Sequence, residues 1–196
     1  MMRRTPVVVA AGTRFARSGH PDDELFVIIF NERVSYGLAS GTPFTSDREE
    51  LHRALQRVTA RGQTALFDAL RESLRHLAHG TRQKKVLVVL SDGGDNASSA
   101  TFDDVLGAAL RMDAVIYTVS IHDPYDSEGN PRLLRKLADA TGGVAFSSAH
   151  PKSFPGSWTA SRATSGAATR SGTCRIAPRA REDTAVTVRL ASAGRG

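Results

Sequence analysis

The sequence predicts an α/β fold, a doubly wound and mostly parallel sheet with helices on both faces, on three observations. Leu25-Phe26-Val27-Ile28-Ile29-Phe30 and Lys85-Val86-Leu87-Val88-Val89-Leu90 are short apolar runs rich in β-branched residues, the pattern of strands buried on both faces. Between and after them, leucines recur at helical spacing, so strands alternate with helices as parallel sheets require. The polar loop Ser91-Asp92-Gly93-Gly94-Asp95-Asn96 directly follows the second run, at the carboxyl end of a strand, where ligands gather in such sheets.

Each element follows from its residues. Residues 5–17 place Val7, Val8, Ala11, Phe15 and Ala16 apart from Arg14 and Arg17, which suits an amphipathic helix ended by Ser18-Gly19-His20-Pro21. Residues 25–30 form a core strand, and residues 34–38 are its expected partner. Ser46-Asp47-Arg48-Glu49 reads as a capping box opening a helix through Leu51, Leu55 and Val58. Gly62-Gln63-Thr64 precedes a helix over 65–78 with Leu66, Leu70, Leu74 and Leu77 on one face, Thr64 as N-cap and Gly80 as terminator. After the strand at 85–90, a helix starts near residues 101–104 and carries Val105, Leu106 and Leu110, followed by a strand at 114–121. Asn130-Pro131 supplies an N-cap with proline at the first helical position, residues 133–140 continue the helix, and Gly142-Gly143 stop it before a short strand at 144–147.

Composition sets two limits. Residues 1–150 hold 18 Lys and Arg against 18 Asp and Glu, so the body is balanced and a polyanion-binding role for the whole molecule is disfavoured. Residues 151–196 hold 8 against 2, so the whole excess lies there. That segment, poor in large apolar residues, reads as a basic, disordered tail able to bind polyanions only loosely, with a weak strand at 185–190. The organisation expected is one domain over 1–150 and the tail over 151–196. Cys174 is alone, so no intrachain disulfide helps the fold and the compartment stays unassigned. No apolar run approaches a membrane span, and the opening residues are too short in their apolar part for a signal peptide.

The candidate chemistry is oxygen donation. A hydroxyl from Thr64 at a helix start and a carboxylate from Asp92 just past a buried strand are hard ligands of the kind Mg²⁺ accepts. Each also has an ordinary structural account: Thr64 as a helix cap and Asp92 as a turn residue among glycines. Asp68 and Asp95 read as helix and loop structure.

Gly62-Gln63-Thr64-Ala65-Leu66-Phe67-Asp68-Ala69-Leu70, then Val88-Val89-Leu90-Ser91-Asp92-Gly93-Gly94-Asp95-Asn96, then Thr141-Gly142-Gly143 before a short strand, resemble in order and spacing the von Willebrand factor A domain family, in particular its bacterial branch, where Phe30-Asn31 would end the second strand. The resemblance covers most of residues 3–150. It implies a non-catalytic module that binds a protein partner at the carboxyl ends of its strands, through a metal-ion-dependent adhesion site whose Mg²⁺ keeps one position open for the partner's carboxylate. By this resemblance Thr64 and Asp92 are the metal ligands. The family's Asp-x-Ser-x-Ser motif and the central first strand before it have no counterpart here, so the site is expected to be degenerate and to hold Mg²⁺ poorly, the alternatives being a metal-free scaffold or a truncated gene product without its own activity. The strands at 25–30 and 86–90 are then expected to lose a neighbour, closing on each other imperfectly or leaving apolar edges open. Intact relatives are often secreted or membrane-anchored, which leaves the localisation of this chain unassigned.

Other classes find less support. No Gly-x-Gly-x-x-Gly, phosphate-loop Gly-Lys-Ser/Thr or Gly-x-Ser-x-Gly motif points to an enzyme. His76 and His79 lie three apart but lack a third ligand at a familiar spacing, and read as a solvated helix face. A nucleic-acid role for the tail would rest on Trp158 alone among Arg162, Arg170 and Arg175.

Overall fold

The computed structural model describes residues 9–10, 12–13, 21–57, 63–121 and 129–147, together with the backbone of 182–189. Its strands are β1 (Glu24–Phe30), β2 (Val34–Tyr36), β3 (Lys84–Ser91), β4 (Val115–Ser120), β5 (Ala145–Ser147) and β6 (Glu182–Arg189). The helices are α1 (Arg48–Gln56), α2 (Leu66–Leu77), α3 (Phe102–Arg111) and α4 (Pro131–Ala140). The sheet runs β2-β1-β6-β3-β4-β5. β2 pairs antiparallel with β1, and every other pairing is parallel.

Consecutive residues of a strand point to opposite faces, so consecutive buried residues show that both faces are covered. Phe26, Val27 and Ile28 are all buried, as are Val86 through Leu90, and this is why these segments read as unbroken apolar runs. The helices bury one stripe each. Leu66, Leu70, Leu74 and Leu77 of α2 are buried in the same core cluster as Phe26, Leu87 and Leu51, each removal from water being worth roughly 1.5–3 kcal/mol.

Helix ends follow local chemistry, with two shifts from expectation. α1 is capped by Asp47, not Ser46: the Asp47 carboxylate accepts from the Glu49 amide at 2.8 Å, while the Thr45 hydroxyl accepts from the Asp47 amide. α2 takes Ala65 as N-cap with no side-chain cap bond, so Thr64 is not the capping residue. Thr101 and Asp104 form a reciprocal capping box on α3, and Asn130 caps α4 with Pro131 in the first turn. At the other end of α4, Gly142 adopts φ +75°. A Cβ on Gly143 would lie 2.0 Å from the Ile116 carbonyl oxygen, so only glycine lets the helix end press against β4. Thr141 completes that joint, its hydroxyl accepting from the Ile116 amide and donating to the Leu137 carbonyl.

The largest departure from expectation is at the sheet centre. β1 and β3 neither close on each other nor leave open edges, because β6 lies between them and pairs in parallel with both. The weak strand anticipated at 185–190 is thus an eight-residue central strand, Glu182–Arg189. Pairing on both sides supplies partners for backbone groups that would otherwise be buried unsatisfied. No strand precedes β1 among the described residues. The anticipated helix over 5–17 is described only at 9–10 and 12–13, which are helical. The basic segments at 148–181 and 190–196, with Trp158 and Cys174, lie outside the described residues.

His76 also departs from expectation. It is buried, 9% exposed, with its ring 4.5 Å from that of Phe26 and 4.7 Å from that of Phe44. Its Nε2 lies 2.6 Å from the Pro43 carbonyl oxygen, so the ring ties the 38–45 connection to α2. Beside it, Tyr36 donates to Glu72. Partial desolvation of the half-exposed Tyr36, with the Glu72 carboxylate holding the phenolic proton, pushes its hydroxyl up to about 12.

Candidate functional site at the carboxyl edge of the sheet

Four stretches of chain converge where the parallel strands end. β3 delivers Asp92 one residue past its last position, and there the chain turns sharply. The Gly93 amide donates to the Ser91 hydroxyl at 3.0 Å, and the Gly94 amide donates to Asp92 Oδ1 at 2.9 Å. Gly93 takes φ +86°, and a Cβ there would sit 2.2 Å from the Asn130 carbonyl oxygen. Glycine is therefore required twice over, for the backbone angle and for the approach to the start of α4.

Thr64 reaches the same place from the other side. Its amide donates to Asn96 Oδ1 at 2.7 Å, while the Asn96 and Ala97 amides both donate to its carbonyl at 3.0 Å. The next residue, Ala65, donates its amide to the Asn31 carbonyl at 2.6 Å, which pins the start of α2 to the end of β1. Thr64 is 1% and Asp92 4% exposed, so both are held in a low-dielectric setting rather than in solvated turns. The structure thus brings the two sequence-nominated residues to one edge, with Asn96 as the bridge between their loops. Asn96 stood in the motif, but its role was not legible, because a side-chain amide bonding a residue 32 positions away leaves no local signature.

Asp68 fastens this arrangement. Its carboxylate accepts from the Ser99 amide at 2.9 Å, the Ala100 amide at 2.9 Å and the Ser99 hydroxyl at 3.0 Å, and Arg71 lies 3.0 Å away. Asp95 performs a smaller version of the same task, accepting from the Ser98 amide. Both therefore serve the loop and helix geometry. Burial alone would raise the Asp68 carboxyl, but the Ser99 and Ala100 amides, the Ser99 hydroxyl and the Arg71 charge together hold it below its ordinary value.

That direction fixes a pH dependence. A carboxylate depressed in the folded state adds stability above its unfolded pKa of about 3.9, and that stability is lost as pH falls through the lower folded value. Asp68→Asn is expected to destabilise the protein at neutral pH by about 1.5–3 kcal/mol, the scale of hydrogen bonds to a charged group. It should also flatten the acid limb of the stability curve. Urea unfolding at a series of pH values checks both, and an unchanged acid limb would show that Asp68 is not the group involved.

The donor set bears on metal binding. Among the described residues, the edge carries the Asp92 carboxylate and the Thr64 hydroxyl. Ser120 follows at the end of β4, in register with Ser91 on one side and Ser147 on the other, and its buried Oγ has no hydrogen-bond partner among the described residues. Asp68 accepts from backbone amides through both carboxylate oxygens, and Asp95 through one. Among the described residues no group of three or more His, Cys, Asp or Glu is placed to hold a metal. An octahedral Mg²⁺ held by Thr64 and Asp92 alone would keep most of its waters.

Comparison with known proteins agrees with this architecture. The family model described as von Willebrand factor type A domain matches residues 14–156. A solved structure described as von Willebrand factor type A from Catenulispora acidiphila superposes with a TM-score of 0.60 at 22% identity, covering 76% of this chain and 35% of that one. The chain therefore spans about a third of that structure's length. A conserved hypothetical protein, BatB, from Bacteroides thetaiotaomicron superposes with a TM-score of 0.51 at 16% identity, covering 71% of this chain and 78% of that one. At these identities the likeness concerns the fold. No curated protein matches the chain.

Proposed function

Because this chain belongs to the von Willebrand factor type A domain family, whose members generally mediate protein interactions, we propose that it is a non-catalytic protein-binding module using the carboxyl edge of its sheet. The observation that carries this reading is the joint burial of Thr64 and Asp92 in loops stitched together through Asn96. Such stitching holds a recognition surface in one shape before a partner arrives, which lowers the ordering cost of binding. Thr64 and Asp92 are the remaining ligands of a degenerate metal-ion-dependent adhesion site, and the partner contacts this edge with little help from Mg²⁺. The basic residues before β6, over 151–181, add at most a weak, salt-sensitive attraction for polyanions.

Two measurements test the proposal. Millimolar Mg²⁺ should raise the unfolding free energy by less than about 1 kcal/mol, the mass-action gain from a ligand present near or below its dissociation constant. A larger gain that disappears in Asp92→Asn and Thr64→Val would establish a working metal site and reverse the degenerate assignment. Affinity capture from a cell extract should retain a protein on the native chain but not on Asp92→Lys, in EDTA as well as in Mg²⁺. Equal retention by both would remove the carboxyl edge from the interface.

A further inference from the structure

β6 occupies the middle of the sheet, yet its composition suits that place poorly. A parallel strand with a neighbour on each side and helices over the sheet ordinarily reads as a continuous run of Val, Ile and Leu. The strands on either side do so: β1 contributes residues 25–30 and β3 residues 86–90, nearly all buried. β6 is Glu182-Asp183-Thr184-Ala185-Val186-Thr187-Val188-Arg189, with five polar or charged residues in eight. Its register is nonetheless specific. Glu182 and Asp183 stand opposite Lys84 and Lys85, and Thr184 to Val188 stand opposite Val86 to Leu90. On its other edge, Asp183 to Arg189 run along Glu24 to Phe30.

The other described strands and helices all precede β6, and residues 148–181 connect it to β5. The slot between β1 and β3 thus has apolar strands on both sides and two ladders of backbone groups, and it holds an occupant less apolar than they are. Strand addition of this kind draws affinity from main-chain bonds and selectivity from side-chain pattern.

We propose that this slot is a strand-accepting site and that β6 is its displaceable resident. The partner is a protein segment that enters extended and parallel to β1 and β3, with two acidic residues followed by a run of β-branched apolar residues. Its acidic start takes the register positions opposite Lys84 and Lys85, the second of them also opposite Glu24, and its apolar run takes those opposite Val86 to Leu90 and Leu25 to Ile29. Recognition here depends on strand pairing and is separate from the edge carrying Thr64 and Asp92. Either reading can therefore fail without the other.

The test uses the full chain and a fluorescent peptide of residues 182–189 carrying Thr184→Val and Thr187→Val. Anisotropy should show saturable binding about tenfold tighter than for the peptide of native sequence, since valine at both positions completes the run of β-branched apolar residues that a central parallel strand ordinarily carries. Hydrogen exchange should show the amides of residues 183–189 in the chain losing protection as peptide is added, while those of 25–30 and 86–90 keep theirs. Introducing Thr184→Val and Thr187→Val into the chain itself should strengthen the resident strand and weaken peptide binding about tenfold. The proposal is overturned if the peptide does not bind at millimolar concentration. It is equally overturned if a scrambled peptide binds as well, or if binding leaves the amides of 183–189 protected.

Discussion

Val186→Pro is expected to abolish the cooperative fold. Val186 is in register with Val27 on one side and Val88 on the other, so whichever strand its amide serves, proline removes a ladder bond at the sheet centre. The pyrrolidine ring also imposes its own φ on a strand with no solvent-facing edge to absorb the bend. The cost should be about 3 kcal/mol or more, a large part of the 5–15 kcal/mol that holds a typical domain together. Far-ultraviolet circular dichroism during thermal and denaturant unfolding reads this directly. A midpoint equal to that of the native chain would mean that β6 contributes nothing to the stable sheet. If β6 is a displaceable resident, the apolar peptide added to Val186→Pro should restore a cooperative transition, because the slot needs an occupant and not a covalent one.

The second large effect is expected at Gly93. Alanine there meets two obstacles: a backbone at φ +86° and a Cβ 2.2 Å from the Asn130 carbonyl oxygen, where backbone and not a flexible side chain stands in the way. Gly41 provides the control, since it has φ +87° and nothing within 4 Å of an added Cβ. Gly41→Ala should therefore cost about 1–2 kcal/mol, the penalty for a left-handed L-residue. Gly93→Ala should exceed it by at least about 1–2 kcal/mol and shift Asp92 with its loop, so partner capture should fall along with stability. Equal destabilisation by the two variants would show that the approach to α4 relaxes without cost. The contrast matters because Asp92, one residue earlier, is held by the same turn that Gly93 makes possible.

Sequence alone determined those parts of the protein whose cause is local. The apolar runs of β1 and β3 declared their double burial because a strand covered on both faces has no reason to alternate. The leucines of α2 declared its buried stripe through their spacing, and Asn130-Pro131 and Thr101 with Asp104 marked helix starts because capping bonds span three residues. The Gly-x-Thr and Ser-Asp-Gly motifs, by order and spacing, indicated the family and nominated Thr64 and Asp92.

The tertiary structure decided what rests on distant partners. His76 looked solvent-facing by helix position, but Phe26, Phe44 and Pro43 come to it from elsewhere in the chain. Thr64 looked like a cap, until Ala65 took that place and the Asn96 amide fixed the threonine from across the edge. Asp68 looked like an ordinary helix residue, although its carboxylate gathers the amides of Ser99 and Ala100. Above all, Glu182–Arg189 had too few apolar residues to announce a central strand. Its place comes from the backbone ladders of β1 and β3, with which it pairs on both sides. Those requirements belong to its neighbours, and backbone hydrogen bonding, which every sequence carries alike, is what satisfies them.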